Sequence, residues 1–100
     1  MRRLRLSFAA QRDLYMLQAH GLAEFGVVAV RGHMEGFDRI FTLLRDHPLA
    51  GQARPDIGER IRVFSHPPHR ILYRLGEDAL VIARIIHAAQ DMGRVTGIRR

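Results

Sequence analysis

The chain has 100 residues, 47% of them hydrophobic: enough for one compact core and too few for two ordinary domains, so residues 1–100 read as a single domain. It carries a net charge of +6, every one of its 16 basic residues is arginine, and it has no cysteine. The charge favours an anionic partner, because guanidinium grips phosphate and carboxylate in a fixed two-pronged geometry; the missing cysteine excludes disulfides, thiolate metal sites and a cysteine nucleophile.

The opening "MRRLRLSF" alternates charged and apolar residues, which predicts a strand over "RRLRLSF" with Leu4 and Leu6 on its dry side. It is too short and too charged for a signal peptide. No apolar run approaches the roughly 20 residues of a membrane span, so a soluble, cytoplasmic protein with no membrane partner is expected. Ser7 is suited to cap a helix in which Ala10, Leu14, Leu17 and Gly21 recur at helical spacing, with Gly21 breaking it. In a second, longer helix Val27, Val30, Met34, Phe37, Phe41 and Leu44 step by three and four, ending before Pro48. The pair predicts a two-helix hairpin with a continuous apolar seam.

Residues 47–59, "HPLAGQARPDIGE", hold two prolines and two glycines without a period and predict a connecting loop. Beyond it the period becomes two. "RIRVF" (60–64), "RILYRL" (70–75) and "ALVIARIIH" (79–87) are separated by connections of hairpin length, which predicts a three-stranded antiparallel meander. The first strand can join it. The fold class is therefore α+β, with the helices on one face of the sheet.

If Ile61 and Val63 point to the helices, Arg60 and Arg62 point away; Ile71, Tyr73 and Leu75 facing in would put Arg70 and Arg74 out. Four arginines then line one sheet surface. A solvated face paired with Glu59, Glu77 and Asp78 is the plainer account of them. The last strand is apolar on both sides, which argues for a central place in the sheet or for a partner that covers it, yet it carries Arg84 and ends in His87. His66 and His69 flank two prolines, but with no cysteine and no evident third ligand no metal site is predicted, and nothing implies a cofactor. A plain nucleic-acid-binding domain is a further alternative. Against it, only Phe64 and Tyr73 are available to stack bases on the expected binding face.

The order of elements, together with particular residues, resembles the RelE/ParE superfamily of toxins from bacterial type II toxin-antitoxin modules, and more closely its ParE branch. The resemblance is carried by "RDL" (Arg12, Asp13, Leu14), "HPLAG" after the long helix, "RPDIG..IR" from Arg54 to Arg62, and "ILYR" at 71–74. It closes with Ile82, Arg84, Ile85, Ile86, His87 and Asp91. Gln90 departs from the family, which often has arginine there, and the "SHPPH" turn is longer. The resemblance implies a RelE/ParE-like fold, a cognate acidic antitoxin encoded next to the toxin, and target binding through Arg60, Arg62, Arg70, Arg74 and Arg84.

Two mechanisms compete within that resemblance. RelE-like members cut messenger RNA at the ribosome, which needs a base, an acid and cations on the phosphate. For proton transfer this chain offers only His87, Tyr73 and Glu59, with Arg84 among the cations. ParE-like members poison DNA gyrase without being enzymes. The gyrase reading fits better, because charge is abundant and an acid/base pair is not evident. Asp91 is expected to accept hydrogen bonds that fix the chain's exit from the sheet.

Overall fold

The computed structural model describes residues 3–92; Arg2, placed in the first strand by its alternation, lies outside them. The elements are β1 (Arg3–Leu6), α1 (Phe8–Asp46), β2 (Gln52–Ala53), β3 (Ile61–His66), β4 (His69–Leu75) and β5 (Ala79–His87).

Ser7 caps α1 as its side chain predicts, its Oγ accepting a hydrogen bond from the Ala10 amide at 3.0 Å. The predicted two-helix hairpin is replaced by one helical segment of 39 residues, with a single non-helical residue at Gly26 (φ 88°, ψ 175°). A straight helix of that length would measure about 58 Å, whereas the longest dimension of the molecule is 38 Å. The segment therefore bends sharply at Gly26, where a positive φ is open to glycine and costly for other residues. Gly21, expected to break the helix, sits inside it and serves another purpose. A Cβ there would lie 2.9 Å from a Val30 methyl, so the bare glycine lets the second arm fold back against the first.

Leu14 and Leu17 from the first arm and Met34, Phe37, Phe41 and Leu44 from the second all reach one core cluster. The predicted seam is thus real over most of its length. It fails at Val27, which is 58% exposed beside the bend.

The sheet has five strands in the order β1-β5-β4-β3-β2. The antiparallel β3–β4–β5 meander is as expected; β1 adds to β5 in parallel, and β2 arises within the predicted loop. A two-residue strand is too short to show a period, which is why the sequence does not reveal it. β5 lies between β1 and β4, and this central place accounts for its apolarity on both faces.

Both sheet faces are covered. Ile71, Tyr73, Leu80, Ile82 and Ile85 pack with Phe37 and Leu44 on the helix side. Leu72 and Ile86 pack with Ile57, Ile61, Met92 and Val63 on the other. The expected orientation of β3 is therefore reversed: Ile61 and Val63 face away from α1, while Phe64 joins the helix-side core. Arg62 stands opposite Tyr73 in the register and shares the helix-side face. Alternation fixes which β3 residues share a face. It could not say which face meets the helix, because an apolar patch built from Ile57 and Met92 awaits on the far side as well.

Candidate functional site

Arg84 owes its place in an apolar strand to a break in the ladder beside it. β1 pairs with β5 only as far as Leu6 opposite Ile82. Beyond that point the start of α1 satisfies the open edge of β5. The Ser7 amide donates to the Ile82 carbonyl at 3.0 Å, and Ser7 Oγ donates to the Ala83 carbonyl at 2.8 Å. Asp13 completes the series. Its carboxylate accepts from the Ile85 amide at 2.9 Å and from Arg84 Nε and Nη2 at 2.7 and 3.0 Å. The two side chains are only 14% and 21% exposed, and the bond to Asp13 raises the pKa of the Arg84 guanidinium. Arg84 is an anchor between helix and sheet.

Arg62 is committed as well. Its Nη1 donates to the carbonyls of Leu49 and Gly51, in the "HPLAG" loop that follows α1. Tyr73 holds the same loop from below, its hydroxyl donating to the Pro48 carbonyl and accepting from the Gly51 amide, both at 2.8 Å. A Cβ on Gly51 would meet the Tyr73 hydroxyl at 2.6 Å, so the motif needs glycine where it crosses the ring. Burial pushes the Tyr73 pKa up. Tyr73→Phe is expected to cost about 1–3 kcal/mol, because it strands a buried amide and a carbonyl. Denaturant unfolding of the variant beside the parent measures this, and faster amide exchange at Gly51 would locate the damage.

Arg70 and Arg74 keep the orientation expected of them. They share with Leu72 the face away from α1, with Arg70 opposite Ser65 and Arg74 opposite Ile61. Arg74 is exposed; Arg70 is half-buried and makes a long contact, 3.7 Å, to the Met92 sulfur. Arg60 is exposed just ahead of β3, in a left-handed conformation (φ 63°) unusual for a side chain of its size. It lines a shallow cavity of about 450 Å³ with Pro55, Ile61, Arg62 and Leu75.

His87 is exposed at the end of β5. Its amide donates to Gln90 Oε1 at 2.9 Å and its Nδ1 accepts from the Ala89 amide at 3.1 Å, so Gln90 closes the turn that leaves the sheet. Of the four residues open to ribonuclease chemistry, Glu59 is exposed in the turn ahead of β3, and the other three occupy three different environments. Tyr73 is fully buried against the loop, Arg84 is tied to Asp13, and His87 stands at the strand end.

Two residues escaped the sequence reading of the site. Asp13 was legible in principle, as an acid among the inward-facing positions Ala10, Leu14 and Leu17, where a carboxylate requires a partner. His33 gave no such signal. It meets His66 and His69, the pair weighed for metal, at the junction of α1 with the β3–β4 turn.

Comparison with known proteins gives a consistent picture. Residues 4–92 match the model of a family described as the ParE toxin of type II toxin-antitoxin systems, parDE. Toxin ParE3 of Caulobacter vibrioides is 29% identical over 72 residues, 72% of each chain. A chain from the chromosomal ParDE system of P. aeruginosa superposes with a TM-score of 0.75 at 19% identity, covering 87% of this chain and 96% of that one. A chain of the RelBE2 toxin-antitoxin complex of Mycobacterium tuberculosis gives 0.60 at 24% identity, covering 86% and 96%.

Proposed function

Because the chain belongs to the ParE toxin family of type II toxin-antitoxin systems, we propose that it arrests growth in the cytoplasm by binding DNA gyrase and stalling the enzyme on cleaved DNA. The observation that carries this reading is the outward arginine pair, Arg70 and Arg74, with Arg60 at the adjoining edge, while Arg62 and Arg84 are engaged in holding the fold. Such a surface offers cations to DNA or to an acidic protein face, as a poison requires. Arg62 and Arg84 support the surface from within. No acid/base pair is gathered from His87, Tyr73 and Arg84, which speaks for a binding role over RNA cleavage.

A cognate antitoxin is the second partner. Phe8, Tyr15, Leu22 and Phe25 are 91%, 69%, 48% and 72% exposed and recur at helical spacing along the first arm of α1. An apolar stripe of this size suits a covering partner. An amphipathic, acidic antitoxin segment would seat apolar side chains there and carboxylates on the arginines. Folding on binding costs such a segment several kcal/mol, so it requires a long interface of this kind.

The purified protein is expected to convert supercoiled plasmid to linear, gyrase-bound DNA when gyrase and ATP are present, and to leave messenger RNA on ribosomes intact. Site-specific RNA cuts that disappear in His87→Ala would replace this reading with ribonuclease chemistry.

A further inference from the structure

Four of the chain's six histidines converge where the second arm of α1 crosses the β3–β4 turn. His33 comes from α1, His66 ends β3, His69 begins β4 directly opposite it, and His87 ends β5 opposite His69. The contacts are close. His33 and His66 stack with ring centres 4.1 Å apart, and His66 Nε2 donates to the His33 carbonyl at 2.9 Å. His33 Nε2 and His69 Nδ1 lie 3.0 Å apart, and the edge of Phe37 closes against His33 and His66. A Cβ on Gly36 would come within 2.5 Å of the His66 ring, so the helix reaches this junction only because it presents glycine.

The hydrogen bond between His33 and His69 has room for one proton. One nitrogen must donate and the other accept, since two N–H groups at that distance would oppose each other. We propose that this junction is an acid-sensitive latch between the second arm of α1 and the β3–β4 hairpin, closed while His33 and His69 share one proton and opened when both rings are charged. Opening would uncover Phe37, which is fully buried beneath the cluster.

The surroundings support the latch. His69 faces His33 from α1, His66 from β3 and His87 from β5, and His33 faces His66 and His69; these groups are all of one sign when charged. Burial first, then His33, His87 and His66, push the His69 pKa down to about 4 from 6.5. Burial and His66 lower that of His33. No carboxylate contributes to either shift among the described residues. As pH falls below 6.5 the unfolded chain takes up protons that the folded junction refuses, so the latch's stabilisation is present above that pH and lost as pH falls towards 4.

The test is urea unfolding of the purified chain from about pH 7 down to about 4, for the parent, His69→Asn and His33→Gln, with the imidazoles of the parent titrated by NMR. The side-chain amides can take the place of Nδ1 and Nε2 respectively without titrating. Each variant is expected to lose less stability than the parent across the window. The difference should be on the order of tenfold in the unfolding equilibrium, reduced by solvent screening because the rings are part-exposed. The His69 ring should stay neutral well below pH 6.5. Superimposable pH profiles for parent and variants, or a His69 ring that titrates at 6.5, would overturn the proposal; if a variant does not fold, the NMR titration of the parent decides.

Discussion

Replacing Asp13 by alanine is expected to destabilise the protein by about 3 kcal/mol. The carboxylate accepts three hydrogen bonds, two from Arg84 and one from the Ile85 amide, at a site where both charged side chains are mostly buried. Its removal deletes the acceptor shared by a sheltered guanidinium and a strand amide, and hydrogen bonds to charged groups contribute about 1.5–3 kcal/mol each. In a domain of this size that corresponds to a fall in melting temperature on the order of 15 °C. Asp13→Asn should fall between the two, because the amide oxygen can still accept from Ile85 while the charge is lost. A melting temperature within a few degrees of the parent for Asp13→Ala would show that the ion pair does not tie the helix to the sheet.

Arg70→Ala combined with Arg74→Ala is expected to abolish growth arrest and to leave the fold nearly unchanged. Both residues stand on the sheet face away from α1, and among the described residues Arg70 makes a long approach to the Met92 sulfur. Surface substitutions of this kind usually change stability by about 0.5 kcal/mol or less. The expected loss at the target is much larger. Two charge-assisted contacts together weaken binding by about a hundredfold or more. Phe37→Ala is the opposite case: that ring is fully buried between helix and sheet, and truncation should cost about 3–5 kcal/mol and abolish activity by unfolding.

The sequence made the β3–β4–β5 meander and the outward direction of Arg70 and Arg74 legible, because each rests on a local period. Other features depended on contacts distant in the chain. The bend at Gly26, not at Gly21, was hidden because both are glycines in a helical pattern, and only the approach of Val30 to Gly21 distinguishes them. Alternation does not give the face of β3, because Ile57 and Met92 build a second apolar layer that no strand period announces. Arg62 and Arg84 looked like members of an exposed set. Their partners, the carbonyls of Leu49 and Gly51 and the carboxylate of Asp13, lie 11 to 71 residues away in the chain. The family motifs gain a physical meaning from the same contacts. "HPLAG" is the loop clasped by Tyr73 and Arg62, and "RDL" supplies the acid that meets the arginine of "RIIH".

The most direct test of the account measures thermal melting and growth arrest in parallel for the parent and for Arg70→Ala with Arg74→Ala. The double variant is expected to melt within about 5 °C of the parent, as two surface changes of ~0.5 kcal/mol each allow, to copurify with its co-expressed antitoxin, and no longer to arrest growth. A double variant that melts like the parent and arrests growth as fully would contradict this account, and would make the arginine face no more than a solvated surface.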